Sequence, residues 1–295
     1  MYNVQILHLG VTTDFLFIYR YYNGANLKKL LLITFVFILA SLNAFPQWYW
    51  QNPLPQGNTL NSVKFISSTV GWTVGAYGTI LYTTNGGTSW SSQSSGTTDD
   101  LMAVSFVDAN NGWIVGWEGT ILKTMDGGST WTSQTSGTSN WLWGVYFIDG
   151  NTGWVVGEFG TILKTTNGGA NWTSQSSGTT NWLSCLSFTD ANNGCTVGEA
   201  GTILRTTNGG TTWTSQTSGT TNNLNSITLT GTNNGWIVGD NGTILNSTIV
   251  GTWVLQNSGT TNSLSDVCFT DVNNGTVVGA GGLILRTIDG GQNWT

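Results

Sequence analysis

The chain has 295 residues, of which only 7% are charged, whereas ordinary soluble domains carry roughly 25%. It contains 41 glycines but three prolines, and glycine does not recur at every third position, which excludes a collagen-like protein. Hydrophobic residues make up 39% and aromatic residues 12% of the chain, so intrinsic disorder is not expected.

The N-terminal segment has the pattern of an export signal. Lys28 and Lys29 precede an apolar run from Leu30 to Leu42, which is shorter than the roughly 20 residues that a membrane span needs. A basic region, a short apolar region and a small residue before a polar stretch are typical of a secretory signal peptide. We predict a leader and signal over residues 1–44, cleavage after Ala44, no membrane span in the mature protein, and a secreted, periplasmic or cell-surface location. The alternative is an N-terminal membrane anchor.

Cleavage would leave an acidic chain without histidine. The formal net charge of the full sequence is −6, and the predicted signal segment removes Arg20, Lys28 and Lys29 but a single carboxylate, Asp14. The histidine of the sequence, His8, also lies in this segment. Nucleic-acid binding needs a cluster of cations facing phosphates, so we exclude that class of partner. Histidine-based catalysis and histidine-ligated metals are excluded as well.

The rest of the chain is an internal repeat of about 41 residues. One marker is a Gly-Trp pair, which recurs in intact or degenerate form at Gly71-Trp72, Gly112-Trp113, Gly153-Trp154, Gly194-Cys195, Gly235-Trp236 and Gly275-Thr276. A second tryptophan series keeps the same spacing, at Trp90, Trp131, Trp172, Trp213, Trp253 and Trp294. These two series delimit six units.

Each unit predicts four short strands, here called A to D. In the unit 101–134 they read LMAVSF, GWIVG, GTILKT and WTSQ, and turn residues rich in Asn, Asp and Gly separate them. Four antiparallel strands per unit favour an all-β fold, a β-propeller with one unit per blade. A β-solenoid is the competing architecture, but its repeats are usually shorter. Helices should be nearly absent, because no segment has a sustained 3.6-residue period.

The number of blades in the intact protein is open at this stage. Six blades are visible in a single domain over residues 48–295, but Trp48–Gln51 already has the W-x-x-Q pattern of a strand D. At the other end, Trp294 and Thr295 begin another strand D. Either the N-terminal strand displaces Trp294 and Thr295 in a six-bladed ring, or a seventh blade is missing from a truncated sequence. We expect the second.

One segment of the unit resembles the Asp-box of bacterial neuraminidase repeats. The segments are TTNGGTSW (83–90), TMDGGSTW (124–131), TTNGGANW (165–172), TTNGGTTW (206–213) and TIDGGQNW (287–294), while the fifth unit has NSTIVGTW (246–253). Together with GWIVG and GTILKT, the unit resembles the photosystem II assembly and stability factor family of propellers. The resemblance implies a β-propeller, and in photosynthetic organisms it implies a role in assembling the photosystem II reaction centre.

The polar residues of the repeat have a structural interpretation. Asn and Asp in the Asp-boxes, and Asp108, Asp190 and Asp271 in the A–B turns, are expected to fix their own turns rather than to catalyse or to bind calcium. The spacing of Cys185, Cys195 and Cys268 matches no metal site, and we expect three small buried side chains. We predict no catalytic residue, no metal site and no cofactor.

The candidate binding residues lie where the repeats differ most. Propeller topology places the B–C turns and the D–A connectors on the same face, and aromatic and carboxylate side chains concentrate there. These candidates are Trp117, Trp141, Trp143, Trp182, Phe159, Glu118, Glu158, Glu199 and Asp240. Flat apolar surfaces with a few polar groups suit a sugar or a peptide. Packing and sequence drift are the alternative interpretation.

These observations predict an exported, non-catalytic propeller that acts as a binding or scaffold module. Its partner would be an unidentified protein or glycan, and the chain would be a monomer. The alternative is a glycoside hydrolase of the sialidase type that uses the carboxylates of this face, since two carboxylates about 5–9 Å apart can hydrolyse a glycoside. A photosystem role would need a photosynthetic host.

Overall fold

A computed structural model describes residues 57–232, 234–249 and 251–295. This part of the chain is an all-β, six-bladed propeller of antiparallel sheets, as the repeat predicts. Each sheet follows the chain order A-B-C-D, and the helical content of the described residues is limited to single 3₁₀ turns between strands B and C. The predicted signal peptide and the predicted strand at Trp48–Gln51 lie outside the described residues.

The first three blades have four strands each. Blade 1 contains β1 (Leu60–Phe65), β2 (Gly71–Gly75), β3 (Thr79–Thr83) and β4 (Ser91–Gln93). Blade 2 contains β5 (Leu101–Phe106), β6 (Gly112–Gly116), β7 (Ile121–Thr124) and β8 (Thr132–Gln134). Blade 3 contains β9 (Leu142–Phe147), β10 (Gly153–Gly157), β11 (Ile162–Thr165) and β12 (Thr173–Gln175).

The other three blades follow the same plan. Blade 4 contains β13 (Leu183–Phe188), β14 (Gly194–Gly198), β15 (Ile203–Thr206) and β16 (Thr214–Gln216). Blade 5 contains β17 (Leu224–Leu229), β18 (Gly235–Gly239), β19 (Ile244–Ile249) and β20 (Thr252–Gln256). Blade 6 contains β21 (Leu264–Phe269), β22 (Gly275–Gly279) and β23 (Leu283–Thr287), and Thr295 exchanges two backbone hydrogen bonds with Arg286 in the position of a strand D.

Polar side chains close the turns as the sequence predicts. In the A–B turn of blade 2, one carboxylate oxygen of Asp108 accepts the backbone N–H groups of Asn110 and Asn111 at 2.7 and 2.8 Å. In its Asp-box, Asp126 accepts the backbone N–H of Thr130 at 2.9 Å and the hydroxyl of Thr124 at 2.8 Å. These carboxylates are therefore turn-forming groups.

Neighbouring blades are joined by a stacked pair of aromatic rings. Trp113 of blade 2 lies flat on Phe147 of blade 3, with ring centroids 3.6 Å apart and an interplanar angle of 8°. The Trp113 indole N–H donates to the Gly168 carbonyl at 3.1 Å, in the Asp-box of blade 3. Equivalent stacks join Trp72 to Phe106, Trp154 to Phe188 and Trp236 to Phe269. All four of these tryptophans are buried.

The junction between blades 4 and 5 lacks all three parts of this link. Cys195 replaces the tryptophan, Leu229 replaces the phenylalanine, and the Asp-box of blade 5 has lost its Gly-Gly pair. Cys195 packs in a core cluster with Leu229 nearby, and burial raises the pKa of its thiol to about 12. The three changes fit one another, because without the indole there is no ring for the phenylalanine to stack on and no N–H for the glycine carbonyl to accept.

On blade 1 the sheet face directed away from blade 2, and on blade 6 the sheet face directed away from blade 5, are not packed in this way. Phe65 is 39% exposed, whereas the equivalent Phe106 is 4% exposed. On blade 6, Val278 and Ile284 are exposed at positions that are buried in the other blades. Cys268 is exposed too, so the expectation of three buried cysteines is wrong for this residue. The equivalent Ser105 is buried because its hydroxyl accepts the backbone N–H of Phe147 in the next blade.

The stacked pairs should dominate the stability of the propeller. We expect Trp113→Ala to lower the free energy of unfolding by about 3–5 kcal/mol, because a buried ring and its hydrogen bond are lost together. Cys195→Ala, at the equivalent position in blade 4, should have a clearly smaller effect. Urea unfolding followed by circular dichroism measures both, and equal losses would contradict the assignment.

The turn carboxylates predict how stability depends on pH. Hydrogen bonds from the turns lower the pKa of Asp108, Asp126, Asp149, Asp190, Asp271 and Asp289, the last to about 2. A lowered pKa means that these carboxylates stabilise the folded state fully when the pH is above their unfolded-state pKa near 3.9. This stabilisation is lost as the pH falls through their folded-state pKa. We expect the Tm to be level from pH 7 to about 5 and to fall between pH 4 and 2. A constant Tm over that last interval would refute this.

Candidate functional site

The strand order places the candidate residues on one face of the propeller. Because all strands are antiparallel neighbours in the order A-B-C-D, the B–C turns and the D–A connectors lie at one end of every blade, and the A–B and C–D turns lie at the other. We call these the B–C face and the A–B face. All nine candidate residues lie on or next to the B–C face.

Four of the candidates form a continuous cluster of indoles. Trp117 of blade 2 stacks on Trp141, with centroids 4.3 Å apart and an interplanar angle of 7°. Trp141 packs edge-to-face on Trp143 at 5.8 Å, and Trp143 packs edge-to-face on Trp182 at 6.3 Å. Trp117, Trp141, Trp143 and Trp182, here called the tryptophan cluster, thus extend over blades 2, 3 and 4.

The B–C turn of blade 2 is fixed against the connectors on both sides of this blade. Gly119 has a φ of +71°, and a Cβ at this position would lie 2.0 Å from the Thr138 carbonyl oxygen of the connector between blades 2 and 3. The backbone N–H of Trp117 donates to the Asp100 carbonyl at 3.0 Å. Glycine at this position therefore allows the close approach that brings Trp117 beside Trp141.

Two tryptophans of the cluster occupy a connector position at which other blades carry a side chain that accepts a hydrogen bond. The Asp100 side chain accepts the backbone N–H of Tyr77 at 2.9 Å, and the Asn223 side chain accepts that of Ala200 at 3.1 Å. Trp141 and Trp182 occupy the equivalent positions and have no acceptor to offer. Asp or Asn at this position therefore supplies the hydrogen bond that the fold uses.

Two indole N–H groups of the cluster are buried without a hydrogen-bond partner in the part of the chain that the structure describes. The Nε1 atoms of Trp117 and Trp143 are buried and have no hydrogen-bond acceptor among the described residues. Burying such a donor unpaired costs roughly 1–3 kcal/mol. The indole N–H groups of Trp172 and Trp294 in the Asp-boxes are buried without an acceptor in the described chain as well, so this feature is not specific to the cluster.

The carboxylates divide into two groups. Glu158 accepts the backbone N–H of Trp141 at 3.1 Å, and Glu199 accepts that of Trp182 at 3.4 Å, so both lie directly against the cluster. Glu118 is exposed next to Trp117. Asp240 is instead held by Ser263 at 2.7 Å, in the next blade, and this hydrogen bond lowers its pKa.

Phe159 also lies apart from the cluster. It is 70% exposed, has a φ of +52°, and makes no ring contact with the tryptophans in the described part of the chain. The structure therefore brings together six of the nine candidates, separates Phe159 and Asp240 from them, and leaves Glu118 exposed at the same turn position as Phe159.

The sequence interpretation missed one acidic pair on this face. Asp99 accepts the hydroxyl of Thr120 at 2.7 Å, and Asp100 holds the turns of blades 1 and 2 through its side chain and its carbonyl. Both residues lie in the connector that leads to blade 2, beside the turn that carries Trp117. The sequence signal that could have identified Asp99 and Asp100 is their position in the repeat, which is equivalent to that of Asn140 and Trp141.

Comparisons with known proteins identify the family. The family model described as photosynthesis system II assembly factor YCF48 matches residues 90–178 and 174–256. The chain belongs to this family. Comparison with curated proteins gave no significant match.

Solved structures of the YCF48 family have the same fold. A structure titled "YCF48 bound to D1 peptide" is 24% identical, with a TM-score of 0.69 over 82% of this chain and 83% of that one. YCF48 from Cyanidioschyzon merolae is 23% identical, with a TM-score of 0.67 over 83% and 87%. The GH74 enzyme of Niastella koreensis is 18% identical, with a TM-score of 0.67 over 81% of this chain but 45% of that enzyme.

Within the described ranges, no helix has the length and apolar character needed to cross a membrane.

Phe159 allows a test of the backbone at this face. A non-glycine residue in the left-handed region costs roughly 1–2 kcal/mol, least for Asn, and Asn241 occupies the equivalent position in blade 5 with a φ of +53°. We expect Phe159→Asn to raise the free energy of unfolding by about 1 kcal/mol, because Asn140 can bind the new amide as Asn222 binds Asn241. Chemical denaturation measures the change, and a destabilised variant would show that the Phe159 ring has a packing role.

Proposed function

We propose that this protein is a non-catalytic binding module that recognises a segment of a partner protein through the tryptophan cluster on its B–C face. The observation that carries the proposal is the indole cluster itself. It spans three blades, whereas the equivalent positions in other blades hold small or polar residues such as Ala76, Asp100 and Ser184.

Tryptophan is suited to this function. It is enriched among the residues that dominate binding energy at protein interfaces, because a rigid ring buries a large area and loses little conformational entropy. Trp182 is 41% exposed although it is large and apolar. The other three indoles are half-buried, and an aromatic patch that reaches the surface supports an interaction site.

We favour a protein over a glycan as the partner. The chain belongs to the YCF48 family, and a member of that family has been solved with a bound D1 peptide.

The export pattern of residues 1–44 supports a function outside the cytoplasm, at the cell surface or in the periplasm.

We favour binding over glycoside hydrolysis. Glu158 and Glu199 each accept a backbone N–H at the start of the neighbouring strand A, so both already serve the local structure. The likeness to GH74 enzymes concerns the fold, because one fold can carry unrelated functions.

The test begins with a selection that does not assume a sequence for the partner. The full chain is used to select binders from a displayed random-peptide library, and it is applied in parallel to a glycan array and to a panel of glycosidase substrates. Binders are then measured against Trp141→Ala and Trp182→Ala, with Met125→Ala as the matched control on the A–B face, since Met125 is 69% exposed.

We expect each tryptophan variant to weaken selected peptides at least tenfold, because truncating a central anchor of an interface costs 2 kcal/mol or more. The control should bind as the parent does. Peptides that bind both variants with parental affinity, or turnover of a glycoside, would refute the proposed function.

A further inference from the structure

The cations of the described residues all lie toward the A–B face, whereas carboxylates lie on both faces. Every lysine and arginine among the described residues pairs across strands with the second residue of a strand B, one step from the A–B turn. The pairs are Lys64 with Trp72, Lys123 with Trp113, Lys164 with Trp154, Arg205 with Cys195, and Arg286 with Thr276. The B–C face therefore carries none of the cations of the described chain.

The cations are too far away to neutralise the B–C face. Trp113 is three residue steps from Gly116 at the other end of strand β6, which is about 10 Å at 3.3 Å per residue. This exceeds the screening length of about 8 Å at physiological salt. Lys164 is also engaged elsewhere, because its ammonium donates to the Gly209 carbonyl at 2.8 Å. The carboxylates of the B–C face, namely Asp99, Asp100, Glu118, Glu158, Glu199 and Asp240, thus act without a compensating cation of the described chain.

Aromatic and acidic groups alternate along the cluster. Glu118 follows Trp117 in the turn, Glu158 contacts the backbone of Trp141, and Glu199 contacts that of Trp182. Trp141 and Trp182 therefore each have a carboxylate against their backbone, and Glu118 is exposed in the turn that carries Trp117. A guanidinium can stack on an indole while it pairs with a carboxylate, because it is planar and carries its N–H donors in a fork at its edge.

The same chain contains the cation–indole contact in its own core. The ammonium of Lys123 lies 5.4 Å from the centroid of Trp113, and that of Lys164 lies 5.2 Å from Trp154. Such contacts are favourable, most when they are desolvated. An acidic segment would be repelled by the same face.

We propose that the tryptophan cluster and Glu118, Glu158 and Glu199 recognise a basic segment of a partner protein, with arginine side chains stacked on the indoles and paired with the carboxylates. This rests on the proposed function and adds to it the chemistry of the partner. Neutral and acidic segments should bind less tightly.

The test uses three capped eight-residue peptides of alternating glycine and a second residue. That residue is arginine, its neutral isostere citrulline, or glutamate. Isothermal titration calorimetry measures affinity to the full chain, and the indole N–H signals in NMR report which tryptophans are contacted. We expect the arginine peptide to bind at least tenfold more tightly than the citrulline peptide, with the difference shrinking as salt is raised, and the glutamate peptide not to bind.

Variants distinguish the effect of a carboxylate on the B–C face from the effect of the net charge of the protein. Glu118→Gln should weaken the arginine peptide several-fold, and the triple variant Glu118→Gln, Glu158→Gln and Glu199→Gln at least tenfold. Glutamine keeps a carbonyl that can accept the backbone N–H, so the strands should retain their positions. Met125→Lys changes the net charge by the same amount as Glu118→Gln but lies on the A–B face, so it should bind as the parent does.

The outcomes distinguish the two proposals. Equal affinity for the arginine and citrulline peptides, or equal losses for Glu118→Gln and Met125→Lys, would overturn the basic partner. Library peptides that depend on Trp141 but lack basic residues would also overturn it and leave the proposed function standing. A library without binders that depend on Trp141 would overturn both.

Discussion

The propeller depends on one repeated contact, a tryptophan of strand B stacked on a phenylalanine of the next blade, with its indole N–H bound to a glycine carbonyl of the next Asp-box. At the junction of blades 2 and 3 this contact joins Trp113, Phe147 and Gly168. Stacked aromatic pairs contribute about 0.5–1.5 kcal/mol beyond the burial of their area. They need no ionic partner, which explains how a chain with 7% charged residues can form a stable ring segment.

Because this contact lies toward the A–B end of the blades, the side chains at the opposite end are less constrained by the packing between blades. The turns there need glycine at positions such as Gly119 and a polar link such as Asp100, and the remaining side chains are free to vary. Blades 2 to 4 use this freedom to place four tryptophans in contact. The division between a structural end and a variable end is what makes a functional interpretation of the indoles possible.

The repeat period, the strands and the turn chemistry could be predicted from the sequence because each is encoded locally: the alternation of apolar residues, the Asn-Gly and Asp-Gly turns, and the spacing of tryptophan. Membership of one face could also be predicted, since it follows from strand order. The contacts within that face could not. Trp117 and Phe159 both lie in B–C turns, but they occupy the first and second turn positions, and this offset of one residue directs Trp117 into the cluster and leaves Phe159 apart. The exposure of Cys268 depends on what packs against blade 6, which the residues of the repeat do not encode.

The central claim is that the tryptophan cluster exists for binding and is dispensable for folding. The most direct measurement exchanges two of its members for the residues that other blades carry at the same positions, Trp117→Ala as at Ala76 and Trp141→Asn as at Asn223, and compares the free energy of unfolding of this double variant with that of the parent. The account predicts a difference within about 1 kcal/mol, as for surface positions. A loss as large as that for removing a buried Trp–Phe stack would contradict it and assign the cluster to the core of the fold.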